Sequence, residues 1–138
     1  MSTEQQNVND RIIKEVWNQG NLEVLDELCD PNYILHDGIT IIHGIEGFKH
    51  YIERDRTAFP DVHFTIEDQV VEGDKVVTRF ICRGSHEGYL MSIAPTGKRM
   101  TVSGMILSRF VNDRLAESWI NFDTFGMMRQ LGVISLVE

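Results

Sequence analysis

Cysteine, proline and positive charge are all scarce in this chain, and long apolar runs are absent. Two cysteines, Cys29 and Cys82, cannot build the multi-bridge framework of a small secreted domain. That scarcity predicts a reduced, cytoplasmic protein. Against 21 Asp and Glu stand only 13 Lys and Arg, a formal charge of −8. Nucleic acid and anionic membrane surfaces both recruit basic clusters, so neither is an expected partner. No apolar stretch approaches the roughly 20 residues that cross a bilayer. The opening MSTEQQNVND lacks the basic and apolar regions of a signal peptide. Phosphate-loop, dinucleotide-glycine, His-Glu-x-x-His and G-x-S-x-G patterns are missing too. His36, His43, His50, His63 and His86 fall at no zinc-like spacing, and neither cysteine has a second one nearby. No metal and no cofactor are therefore expected.

What is present fits one domain over residues 1–138, with 42% hydrophobic residues available for a core. Val8, Ile12 and Val16 share a helical stripe flanked by Ile13 and Trp17, and Gly20 ends that helix. Leu22, Leu25 and Leu28 mark a short second helix before Pro31. Tyr33–His36 reads as a short strand and Ile39–His43 as another apolar piece. A third helix is predicted over about Ile45 to Phe59, with Phe48, Ile52, Asp55 and Phe59 on one stripe. An acid on an apolar stripe is either near the helix edge or partnered.

From His63 the period changes to two. Phe64, Ile66 and Val70 alternate with polar residues up to a turn at Gly73-Asp74. Lys75–Ser85 is the returning strand, and Gly84 with Gly88 suggests bulges or bends. Met100–Val111 is a long strand, and Asn112-Asp113 turns it into the last one. Helices first and an antiparallel meander after them predict an α+β fold. Long, glycine-interrupted strands predict a strongly curved sheet, and a curved sheet closed by helices is a cup that can hold a ligand. Trp17, Leu25, Ile52, Phe64 and Ile66 are expected in the core. Val77, Arg79 and Ile81 alternate with Phe80 and Cys82, so both faces of that strand are partly apolar. A sheet apolar on both faces predicts cover on both, hence a homodimer through the outer face.

The closing stretch LAESWINFDTFGMMRQLG first alternates like a strand, then takes helical spacing through Phe125, Met128 and Leu131 to Gly132. Strict alternation puts Leu115, Glu117, Trp119, Asn121 and Asp123 on one face. An apolar stripe of that size belongs inside the cup, where a carboxylate would gain basicity by losing water. Asp123 is equally well placed to cap the following helix, and the two roles are compatible. His36 and His86 are candidate hydrogen-bonding partners for it, with Trp119 as a packing wall. Tyr33 on the first strand and Arg56 and Arg79 complete the candidate substrate contacts. The arginines could clamp an anionic group or simply neutralise Glu53, Asp55 or Asp61.

Several motifs in order, EVWNQGNLEVLDEL, YILHD, AFPD, EGDKVVTRF, GSHEGYLMSIAPTGKRMTVSG and ESWINFDTFGMMRQLG, cover nearly the full chain. On these the sequence resembles the SnoaL-like polyketide (ester) cyclases of the nuclear-transport-factor-2-like superfamily. The resemblance implies a cone of about three N-terminal helices on a curved antiparallel sheet that encloses a pocket, and a dimer through the sheet. It implies that Asp123 removes a proton beside a carbonyl, the resulting carbanion closing a ring. It also implies a histidine partner on the preceding strand, yet the chain has none after His86; Ser103 and Arg109 lie there instead. The expected protein is thus a cofactor-free enzyme for a small apolar carbonyl compound, with Asp123 and His36 catalytic. Its rival is a non-catalytic ligand-binding or protein-interaction domain of the same superfamily.

Overall fold

The computed structural model describes residues 3–134. Helix α1 (Thr3–Arg11) runs directly into a wider π-helical stretch, Ile12–Asn18, and short α2 (Val24–Leu28) follows. Strands β1 (Cys29–Asp37) and β2 (Thr40–His43) lead to α3 (Gly44–Ala58). Then come β3 (His63–Glu72), β4 (Lys75–Ser85), β5 (Arg99–Val111), β6 (Arg114–Phe122) and a closing helix, α4 (Thr124–Leu131). The six strands form one sheet in the order β2-β1-β6-β5-β4-β3. This is the α+β cone expected. The sheet is mixed, however, because β1 lies parallel to β6 while every other neighbouring pair is antiparallel. The chain between β1 and β6 supplies the other four strands and α3, a connection long enough for a parallel pair.

The hairpins follow their residues. Asn112 and Asp113 both take positive φ, 52° and 62°, as a two-residue turn matched to strand twist requires. Glycine does not mark the bulges. The β4–β5 pairing passes through Gly84 opposite Met100 without interruption. Gly84 is bare because Phe59 packs against it, where a Cβ would come within 3.1 Å of the ring's own Cβ. The register instead slips at Glu67 in β3 and at Ala116 in β6. Neither residue carries a bulge signature, so these two were not legible.

The helices bury Val8, Ile12, Val16, Phe48 and Ile52 against the inner sheet face, where Val76, Phe80, Cys82, Val102 and Phe110 are buried. Trp17, Leu25 and Ile52 are core residues as expected, whereas Phe64 and Ile66 are only half-buried. Asn18 joins the two layers: its side chain accepts from Phe64 N–H (2.7 Å) and donates to Phe64 C=O (3.0 Å), supplying the edge strand with a partner. On the outer face, Ile41, Val70 and Met105 remain at least half exposed. No helix of the described residues is long and apolar enough to cross a membrane.

Candidate active site

Between the inner sheet face, the π-helical stretch, α3 and α4 lies a cavity of about 240 Å³. Its walls are mostly apolar, among them Phe59, Phe64, Met100, Ile120, Phe122 and Met127. One corner is polar, with Asp37, Tyr51, Arg54 and Asp55 all reaching the lining. Helix α3 supplies three of these. Tyr51 and Asp55 stand one turn apart and so share a face, and Arg54 lies beside them. Asp37 comes from the end of β1, just before a turn at Gly38 with φ +62°.

The Tyr51 hydroxyl donates to Asp37 Oδ2 at 2.7 Å. Arg54 Nη2 reaches Asp55 Oδ1 at 3.4 Å, and its guanidinium rests 5.0 Å above the Tyr51 ring. Trp17 meets that ring edge-on, centroids 6.0 Å apart. Burial raises the Asp55 carboxyl from its ordinary 3.8 to about 6; the Arg54 charge works against this, and Asp37 adds to it. The side chain nonetheless keeps 28% of its surface, because it faces the cavity. Burial, followed by Asp55 and Asp37, also drives the Tyr51 hydroxyl well above its ordinary range, so it stays a neutral donor at neutral pH. Cys82 lines the same space, but burial and then Asp55 push its thiol up to about 12. Thiolate chemistry at neutral pH is therefore excluded there.

None of the residues expected at the site lines this cavity. Asp123 is exposed. It is the N-cap of α4, its Oδ1 accepting from Gly126 N–H at 2.9 Å. The reason is the bulge at Ala116. Arg109 faces Glu117 and Phe110 faces Leu115, so β6 carries one extra residue and its alternation reverses. Leu115 turns inward, while Glu117, Trp119 and Asn121 turn outward with Asp123 beyond them. Exposure removes the desolvation that the catalytic expectation for Asp123 relied on.

His36 and Trp119 do come together, but on the outer face, stacked with centroids 5.0 Å apart and planes 5° from parallel. His36 Nε2 lies 2.7 Å from Glu117 Oε2, and Arg109 Nη2 donates to Glu117 Oε1 at 2.9 Å. Those two partners hold the Glu117 carboxyl below its usual range. Arg79 is exposed and flanks an outer groove with Asp123. Arg56 is neither an anion clamp nor an ion-pair partner. Its Nη1 donates to Trp17 C=O (2.7 Å) and Asn18 C=O (3.1 Å), closing the end of the helical stretch. Tyr33 is fully buried against Phe48 at 4.6 Å. His86 is fully buried as well; Thr96 N–H donates to its Nδ1 at 3.2 Å, which pins the loop after β4.

Asp55 was within reach of sequence reading, since an acid on the apolar stripe of α3 needs a reason to be there. Tyr51 reads as ordinary core, and Arg54 and Asp37 read as surface; only the fold brings them to one corner. No group of three or more His, Cys, Asp or Glu among the described residues is arranged to hold a metal.

Fold and site together define an enclosed cup: a curved sheet roofed by helices, apolar but for one corner that holds an acid. The family model described as SnoaL-like polyketide cyclase matches residues 7–131, and the chain belongs to that family. Nogalonic acid methyl ester cyclase of Streptomyces nogalater is 28% identical over 123 residues, covering 84% of this chain and 89% of that protein. A structure from Jannaschia sp. CCS1, described as a SnoaL-like polyketide cyclase, superposes with a TM-score of 0.90 at 21% identity. The match covers 96% of this chain and 94% of that one. IdmH of Streptomyces antibioticus, described as a polyketide cyclase, gives 0.81 at 30% identity, covering 93% and 98%.

Proposed function

We propose that this protein is a cofactor-free enzyme that moves a proton at the carbon beside a carbonyl group, with Asp55 as the base. The observation that supports this is a carboxylate, raised to about 6, on the wall of an apolar cavity. A base is most effective when its pKa lies near the working pH. The neighbouring Tyr51–Asp37 bond gives the polar corner a fixed geometry. A cyclase named for a methyl ester acts on a carbonyl compound, which fits the same chemistry. Cavity size sets the scale of the substrate. A cavity of roughly 150 Å³ holds benzene, so about 240 Å³ suits a compound of two fused rings.

The test needs no knowledge of the natural substrate. 2-Tetralone in D₂O, followed by proton NMR, is expected to exchange its activated α-protons faster with the protein than in buffer alone. The enhancement should grow as pH rises through about 6 and then level off, because the ionised carboxylate is the base. Binding without exchange would favour the non-catalytic reading. Exchange at the buffer rate, with no binding, would leave the cavity without this function.

We also propose that a second copy covers the outer sheet face. Apolar side chains stand exposed there, and Arg79 and Asp123 place opposite charges along one groove that a two-fold partner can pair. Sedimentation is expected to show a dimer at micromolar concentration and a monomer for Met105→Glu. A monomeric native chain would overturn this.

A further inference from the structure

Resting on the proton-transfer reading above, we infer that Arg54 is the oxyanion partner of the site: its guanidinium passes from Asp55 to the developing enolate oxygen as the proton moves. Among the described residues lining the cavity it is the single cation. Its bond to Asp55, at 3.4 Å, is long beside the roughly 2.7–2.9 Å of a charge-assisted hydrogen bond. The side chain is 46% exposed and steadied mainly by the Tyr51 ring beneath it, so a small shift brings it to another oxygen. Other cations on or near α3 are committed. Arg56 is spent on two main-chain carbonyls, and Lys49 on Asp26 and Glu46. The Tyr51 hydroxyl is likewise taken by Asp37.

The charges balance throughout the step. The α-carbon C–H bond breaks, and its proton forms an O–H bond with Asp55. The electron pair left behind becomes the enolate C=C bond, while the carbonyl π pair moves to oxygen. Asp55 thus loses its charge at the moment the substrate oxygen gains one, and both lie within reach of one guanidinium. One ion pair replaces another. No uncompensated charge is created between apolar walls, where it would be most costly.

2-Naphthol provides a test, because its anion resembles a fixed enolate and absorbs at a different wavelength from the neutral form. Asp55→Asn imitates the protonated base and leaves Arg54 free for the probe. In that variant, bound 2-naphthol is expected to be at least tenfold more acidic, about one pKa unit, than in Asp55→Asn/Arg54→Gln. Asp55→Asn/Arg54→Lys should recover part of the shift, since it keeps the charge but loses the fork. Calorimetry reports binding separately. Equal ionisation in the first two variants, with binding intact, overturns the role of Arg54 and leaves the base standing. Failure of every variant to bind 2-naphthol overturns the cavity reading and this inference together.

Discussion

Asp55→Asn is expected to reduce α-proton exchange by about 10²–10⁴-fold, the usual contribution of a general base, and to make the protein more stable at pH 8. The amide keeps the size of the side chain but not its charge, so the cavity is preserved while the base is lost. Asp123→Asn is the matched control. It retains capping ability and sits outside the cavity, so exchange should continue. If Asp123→Asn stops exchange and Asp55→Asn does not, the base has been assigned to the wrong carboxylate.

The stability change has a definite sign. The folded-state pKa of Asp55 is raised from 3.8 to about 6, so folding favours the protonated acid. Well below pH 3.8 the group is protonated in both states and burial is uncosted. Between pH 3.8 and about 6 the unfolded chain is ionised, whereas the folded one must either keep the proton or bury a charge. Stability is therefore lost across that window and does not return at higher pH. About two pKa units correspond to at most about 3 kcal/mol. Cavity water reaches the 28% of the side chain that remains exposed, which brings the expected gain for Asp55→Asn at pH 8 to about 1–2 kcal/mol. The gain should vanish near pH 3, about a unit below the unfolded pKa of 3.8. Thermal melts at the two pH values measure it, and a variant less stable than the native chain at pH 8 would show that Asp55 is held by more than the weak contact with Arg54. An acid that costs stability where it sits is one whose position the packing alone does not explain.

The same physics separates what was legible in the sequence from what was not. Helix stripes and strand alternation depend on local residue order, so α3 and β4 appear within a residue or two of their predicted bounds. Gly20 and Asn112-Asp113 end or turn elements because they accept positive φ. The parallel contact between β1 and β6 leaves no local trace, since it joins residues some eighty positions apart, His36 beside Trp119. The bulge at Ala116 leaves none either, yet it moves a whole half-strand to the other face. One extra residue carried Trp119 and Asp123 outward and took the catalytic expectation with them. Asp55 survives as the legible part of the site because its anomaly is local: a carboxyl where helical spacing demands a hydrophobe. Its partners Asp37, Tyr51 and Arg54 become a site only when β1 and α3 are packed together.

Trp17→Ala should be the most destabilising single change, about 3–5 kcal/mol in a domain whose total stability is on the order of 5–15 kcal/mol. The indole is 6% exposed and touches three rings, with centroids 5.0 Å from Phe64, 6.0 Å from Tyr51 and 6.4 Å from Phe48. It thereby joins the π-helical stretch to both α3 and the edge strand. Arg56 and Asn18 fasten the same turn through the main chain and through a side chain, and neither contact is removed by truncating the indole. The helix end should stay formed, with the cost falling on packing. Trp17 also lines the cavity, so the vacated space opens into it and admits water instead of closing as a dry void. That places the cost towards the lower end of the range. Trp17→Phe keeps a ring against Phe64 and should lose no more than about half as much. Urea unfolding measures both variants, with the slope checked for an unchanged two-state transition. The alanine variant should also bind 2-tetralone more weakly, because Tyr51 loses the edge-on neighbour that holds it towards Asp37. A loss below about 1 kcal/mol, the level of an ordinary surface or cap change, would mean that the aromatic cluster does not carry the join between the helical layer and the sheet.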